Sequence, residues 1–149
     1  VRGANLVAQP GFEQQSSATA TSPWYVDGTA GIDRGLGFAR TGANNAWVRN
    51  SSGWNAIKQE VGVTPNTSYT LTGWVKTSGN HDDGYFGARL LKGGPILGET
   101  HFTQPLGSYT QLSVTFNSGA NHSVELFVGM WANNGDTWIQ VDDLRLTRN

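Results

Sequence analysis

The stretch SVELFVGMW, Ser123–Trp131, constrains the fold more than any other. Val124, Leu126, Val128 and Met130 fall in one phase, and Glu125, Phe127, Gly129 and Trp131 fall in the other. Successive side chains on an extended chain point to opposite faces, so this period of two predicts a half-buried strand and excludes a helix. The same period recurs in YTLTGWVK (Tyr69–Lys76), GYFGARLL (Gly84–Leu91) and YTQLSVTF (Tyr109–Phe116). Further strands are expected at Ala46–Asn50, Ile57–Val63 and Trp138–Leu146. Turn-forming clusters separate them, among them TPNTS (Thr64–Ser68), KGGP (Lys92–Pro95) and NNGD (Asn133–Asp136). Strands at this spacing without intervening helices predict an all-β, antiparallel β-sandwich of the jelly-roll type. The first 45 residues are less regular and are expected to wrap the sandwich edges.

Composition narrows the function. The 149 residues make one domain, 1–149, with enough chain for a full core. Charged residues are 14% and the net charge is -1, which gives nucleic acid no basic surface to bind. No apolar run approaches the roughly 20 residues that cross a bilayer. A monomer without a nucleic-acid or membrane partner is expected. With no cysteine, thiolate catalysis and thiolate metal sites are excluded. Six tryptophans in so short a chain ask for a purpose beyond the core. On several strands the phase opposite the apolar one carries Tyr85, Arg89, Gln111, Glu125, Phe127 and Trp131. A merely solvated face would carry Lys, Glu and Thr; aromatics mixed with Arg and Gln suit a polar ligand that has apolar faces.

Three segments carry a resemblance. NLVAQPGFE (Asn5–Glu13), IKQEVGVTPNTSYTLTGWVK (Ile57–Lys76) and IQVDDLRL (Ile139–Leu146) resemble the signature of galactose-binding-like β-sandwich carbohydrate-binding modules, as in families 4, 9, 16 and 22. NNAWVRNSSGWNAIKQ (Asn44–Gln59) and DGYFGAR (Asp83–Arg89) look closest to family 61 modules, which accompany enzymes that cut β-1,4-galactan. The resemblance implies a non-catalytic module, covalently attached to a secreted, extracellular glycoside hydrolase, that binds a polysaccharide, with β-galactan first and xylan or β-glucan as alternatives. It also implies a structural calcium ion on Glu13 and Asp142, completed by backbone carbonyls around Gly42–Asn44.

The residues suggest where a sugar would sit. Sugar C–H faces pack on aromatic rings, and hydroxyls need oriented donors and acceptors. Trp54 falls in a small-residue turn, SSGWN, where nothing would bury it. Trp131 lies opposite the apolar phase of its strand and leads into a polar loop. These two are the expected platforms, with Arg49, Asn55, Tyr85 and Arg89 as hydrogen-bonding partners. Trp138 shares its phase with Leu144 and Leu146 and is expected to pack as core or edge. Trp24 is expected to seal one end of the core. Trp47 shares its phase with Arg49, and Trp74 could pack either way.

Catalytic readings find less support. The adjacent pairs Asp82–Asp83 and Asp142–Asp143 would point to opposite faces of a strand, so neither supplies the two facing carboxylates of a glycosidase. A jelly-roll polysaccharide lyase would want Tyr, His and Arg together. Tyr85 and Arg89 are available, but His81, His101 and His122 fall in or near expected loops. A protein-adhesion sandwich is the remaining rival, and it leaves the tryptophans outside the core phase unexplained. The chain is therefore not expected to be an enzyme.

Overall fold

The computed structural model describes residues 3–149. Ten strands follow one another: β1 Trp24–Asp27, β2 Ala30–Arg34, β3 Asn44–Asn50, β4 Gly53–Gly62, β5 Ser68–Thr77, β6 Gly84–Arg89, β7 Ile96–Phe102, β8 Thr110–Asn117, β9 Ser123–Ala132 and β10 Thr137–Arg148. They form two antiparallel five-stranded sheets, ordered β1-β4-β9-β6-β7 and β2-β3-β10-β5-β8. No helix occurs among the described residues. The expected all-β sandwich is the observed one.

The alternation read from the sequence places the core. Val124, Leu126, Val128 and Met130 of β9 face inward against Leu71 and Val75 of β5 and Ile139 and Val141 of β10, all in one buried cluster. Trp24 is buried in the same cluster, its ring 4.6 Å from that of Phe12. Burying such side chains is the main stabilising contribution, about 1.5–3 kcal/mol each.

Three local features depart from expectation. The first 45 residues hold two strands: β1 pairs with β4, and β2 with β3. They were hidden because four- and five-residue edge strands are too short to show a period. β4 begins at Gly53, so Trp54 stands within a strand and not in a turn. In β10 the register with β5 shifts between Asp142 and Arg145, with Asp143 at φ 52°. A bulge adds one residue to one strand and exchanges the faces beyond it. Trp138 and Gln140 therefore look outward while Leu144 and Leu146, of the same parity, look inward. The expected packing of Trp138 with those leucines is overturned for that reason.

Candidate functional site

The outer face of the β1-β4-β9-β6-β7 sheet gathers most of the expected sugar residues. Trp54 of β4 is directly opposite Trp131 of β9, so the two indoles stand side by side. Their ring centroids are 5.6 Å apart. Trp131 is 46% exposed, while Trp54 is half-buried. The indole of Trp54 lies across Gly129, where an added Cβ would come within 2.7 Å of Cη2. Asp27 fixes its direction by accepting the indole N–H at 3.0 Å. Tyr85 on β6 pairs with Gly129 and brings its ring 6.1 Å from Trp54. The shallow cavity between these rings measures about 270 Å³ and continues to Arg89 and Glu99.

Beneath the aromatics runs a buried charge network. Glu125, only 1% exposed, accepts from Arg89 Nε at 2.7 Å and from the Tyr25 hydroxyl at 2.7 Å. Lys58 Nζ donates to Asp27 at 2.7 Å and lies 3.8 Å from Glu125. Arg89 also stacks over Phe127, 4.8 Å from its ring. Burial acts to raise the Asp27 carboxyl, but hydrogen bonds from Lys58 and Trp54 hold it below the usual carboxylate range. Burial, and then the bond to Glu125, raises the Tyr25 phenol well above its ordinary value. Paired buried charges of this kind fix geometry more than they add stability. Here they hold the floor under Trp54 and Tyr85.

Two expected partners are not in this site. Asn55 follows Trp54 on the strand and so points the other way. It is fully buried, accepting from Thr29 N at 2.8 Å and Asn50 Nδ2 at 3.0 Å, and donating to Ser52 O and Gly53 O. Its carboxamide is committed to the backbone and to the Asn50 side chain and has nothing left for a ligand. Arg49 lies on β3 in the other sheet, across the sandwich, and makes a bidentate pair with Asp136 at 3.0 and 2.6 Å.

The histidine reading also needs correction. His101 lies on β7 directly opposite Tyr85, with ring centroids 4.4 Å apart and planes at 5°. Its Nε2 is 2.7 Å from Asp83 Oδ1. Tyr, His and Arg thus do meet on this face. Yet Arg89 is held by Glu125, and hydrogen bonding to Asp83, then partial burial, raises the Tyr85 phenol above its ordinary value. A phenol held protonated beside a committed guanidinium suits hydrogen-bond donation better than β-elimination. The sequence signal missed here was Ile96–Phe102, too irregular after a Gly-Pro turn to be read as a strand.

The acidic residues expected to hold calcium converge near Gly11. An added Cβ there would lie 3.5 Å from Asp143 Oδ1, 3.9 Å from Asp142 Oδ1 and 3.9 Å from Glu13 Cγ. Glu13 accepts from Ala43 N and Asn44 N at 3.0 and 2.9 Å, and Asp142 Oδ2 from Arg40 N and Thr41 N at 2.9 and 3.1 Å. The loop therefore aims N–H groups at both carboxylates, Ala43 and Asn44 at Glu13 and Arg40 and Thr41 at Asp142, where carbonyls around Gly42–Asn44 were expected. Arg40 gives its guanidinium to Asp143, leaving fully buried Asp142 without a cationic side chain. Burial is the main cause that pushes the Asp142 carboxyl up to about 7. Among the described residues no cluster of three or more acidic or histidine side chains is arranged as a metal site. The side chains gathered here offer oxygen donors, the type a hard cation takes, but all four carboxylate oxygens of Glu13 and Asp142 already accept backbone N–H groups, which a bound ion would have to displace.

The fold is that of carbohydrate-binding modules. The family 61 module TmCBM61, solved with β-1,4-galactotriose, shares it at 20% identity and TM-score 0.71, over 98% of this chain and 99% of that one. The CBM22-1 xylan-binding domain of Paenibacillus barcinonensis Xyn10C shares it at 16% identity and TM-score 0.72, over 99% of this chain and 96% of that one. The Stig cyclase Fisc from Fischerella sp. TAU, an enzyme, shares it at 17% identity and TM-score 0.71, over 97% and 96%. No family model matches the chain. No curated protein matches it in sequence.

Proposed function

We propose that the protein is a non-catalytic carbohydrate-binding module whose outer β1-β4-β9-β6-β7 face holds a polysaccharide chain. The observation that carries this reading is the Trp54–Trp131 pair, 5.6 Å apart on a strand surface with Trp131 46% exposed. A core has no use for an indole there, whereas the C–H face of a pyranose packs on it. Tyr85 and the rim of Arg89 and Glu99 supply the polar contacts that orient hydroxyls. The best choice of polymer is β-1,4-galactan, supported by the Asn44–Gln59 and Asp83–Arg89 segments and by the shared fold with a module solved with β-1,4-galactotriose. Xylan and β-glucan are the alternatives. In its natural setting the module would be joined to a secreted glycoside hydrolase and would hold that enzyme on its substrate. Glu13 and Asp142 would hold a calcium ion that ties the N-terminal segment to β10 and supports the fold without touching the sugar.

Affinity electrophoresis in gels containing galactan, xylan, β-glucan, mannan or cellulose tests the reading. Retardation by galactan is expected, and migration unchanged in every gel overturns it. The Tyr85–His101–Asp83 cluster is the one feature that favours an enzyme. Release of unsaturated sugar products from an acidic polysaccharide would establish that second reading.

A further inference from the structure

A second cavity lies on the opposite side of the molecule, on the outer face of the β2-β3-β10-β5-β8 sheet. It encloses about 540 Å³, twice the space at Trp54 and within the range of about 300–1,000 Å³ usual for ligand sites. Strand register builds it. Gly31, Trp47, Gln140 and Lys76 stand in one cross-strand row over β2, β3, β10 and β5. Trp138 stands beside Arg49 in the next row. An added Cβ on Gly31 would meet Trp47 Cζ2 at 2.8 Å, so the indole rests on bare backbone. Trp54 rests on Gly129 in the same way. Phe38, 49% exposed on the loop between β2 and β3, forms the rim.

The polar groups of this cavity are left wanting. Gln140 Oε1 is shut off from solvent and accepts no hydrogen bond. A buried acceptor without a partner costs about 1–3 kcal/mol, so a ligand donor toward which the carboxamide turns is favoured. Lys76 has no ion-pair partner among the described residues, although it lines the same space. Asp33 receives one hydrogen bond, from Asn45 at 3.1 Å. A carboxamide, a cationic donor and a carboxylate thus line one volume walled by two indoles. An anionic ligand would satisfy Lys76 but meet Asp33 and leave Gln140 unpaired. A purely apolar one would leave all three unmet. Adjacent hydroxyls, each donor and acceptor, on a ring with an apolar face satisfy the whole set.

We infer that this cavity is a second carbohydrate site, which takes a neutral pyranose unit between Trp47 and Trp138. It stands on its own residues and does not require the Trp54–Trp131 platform to bind. Packed sheets are about 10 Å apart, so the two sites face opposite directions and one short oligosaccharide cannot fill both. The protein is then bivalent and links two polysaccharide chains, a route to avidity without new contacts.

The test is a titration of the full chain with short neutral galacto-, xylo-, gluco- and manno-oligosaccharides, read by calorimetry and by the indole N–H resonances. The variants are Trp131→Ala, Trp47→Ala, Lys76→Ala and their combinations with Trp131→Ala. Lys76→Ala guards against misfolding, since it removes only a surface side chain. The expected result is that Trp131→Ala still binds one equivalent, shifts the Trp47 and Trp138 resonances, and loses at least tenfold in affinity when Lys76→Ala or Trp47→Ala is added. If Trp131→Ala abolishes binding that the parent shows, the cavity is not a sugar site while the platform reading stands. If Trp131→Ala binds like the parent and Trp47→Ala does not bind, the second site stands and the platform reading falls. No binding by any form overturns both.

Discussion

Replacing Trp131 by alanine separates a binding surface from a packing surface. The ring is 46% exposed, and its partner ring is Trp54 at 5.6 Å. An aromatic pair contributes about 0.5–1.5 kcal/mol beyond area, so with half its surface in water the ring supports the fold by roughly 1–2 kcal/mol. In a domain of this size that lowers the melting temperature by about 3–6 °C. A stacking hot spot costs about 2 kcal/mol or more in binding, on the order of thirtyfold in Kd. Trp54→Ala is the internal contrast. It removes a half-buried ring and the hydrogen bond to Asp27, and it leaves a gap over Gly129. Its expected cost is roughly 3–4 kcal/mol of stability, with a melting point lower by about 7–14 °C. Scanning fluorimetry with calorimetric titration of the best polysaccharide from the gel screen measures both effects. The reasoning is refuted if Trp131→Ala melts as early as Trp54→Ala, which would make the ring a packing residue. It is equally refuted if Trp131→Ala binds every polysaccharide with parental affinity and melts like the parent.

Other perturbations follow from the same geometry. Chelation at low calcium is expected to lower the melting point, since an ion held at a hundred times its Kd stabilises by about 2.7 kcal/mol, and Asp142→Asn should remove the difference; an unmoved melting curve would discard the ion. Arg89→Ala leaves Glu125 buried with one donor fewer and should cost about 3–5 kcal/mol, although Lys58 and Tyr25 remain, so chemical denaturation showing a loss below 1 kcal/mol would mean that the network is not the floor of the site. His81 is buried with Nδ1 unpartnered, and burial, opposed by its hydrogen bond to Phe102 O, keeps its imidazole below the ordinary value of 6.5. The unfolded chain then takes up a proton first as the pH falls, so this contribution is full above about 6.5 and is lost below it. Over about pH 7.5 to 5.5 Asp142 contributes with the opposite sign, because its raised carboxyl takes up a proton first in the folded chain, so the melting temperature of the parent should fall more, or rise less, on acidification than that of His81→Gln; equal slopes would exclude His81 as a contributor.

The long strands were legible because their two faces differ. β9 shows Val124, Leu126, Val128 and Met130 inside, as its alternation requires, and Trp131 outside. That alternation, together with β6, was enough to bring Trp131, Tyr85 and Arg89 to one face; Trp54 joins them through β4, whose start was read as a turn. Sequence could not report which sheet a strand joins. Arg49 has the right parity and chemistry, but β3 belongs to the other sheet, a long-range fact of pairing. Asn55 failed for a nearer reason. Once Trp54 is known to lie in the strand, its neighbour must face the opposite way, and reading SSGWN as a turn concealed that. The bulge at Asp142–Arg145 misled in another way, since one extra residue reverses parity and made Trp138 look like a companion of Leu144. Phe127 and Glu125 were noticed as lying in the outer phase, but their burial under Trp54, Arg89 and Tyr25 depends on neighbours more than 30 residues away.

Both faces of the sandwich treat a half-buried indole alike. Trp54 lies over Gly129 on the adjacent strand, and Trp47 lies over Gly31. A side chain at either glycine would lift the ring off the sheet. Without one, the indole lies against backbone, gains dispersion contacts on its lower face, and keeps its upper face for solvent or ligand. Its rotamers are restricted before any ligand arrives, so less conformational entropy is lost on binding. Phe38 differs: it stands on a loop with Gly35 and Gly37 at positive φ and has no such bed. The tryptophan count alone therefore identifies no platform. What marks a pre-ordered indole is an outward phase with a glycine cleared beneath it on the neighbouring strand, as at Trp54 and Trp47, while Trp131 stands against the Trp54 ring; both arrangements exist only once register is set.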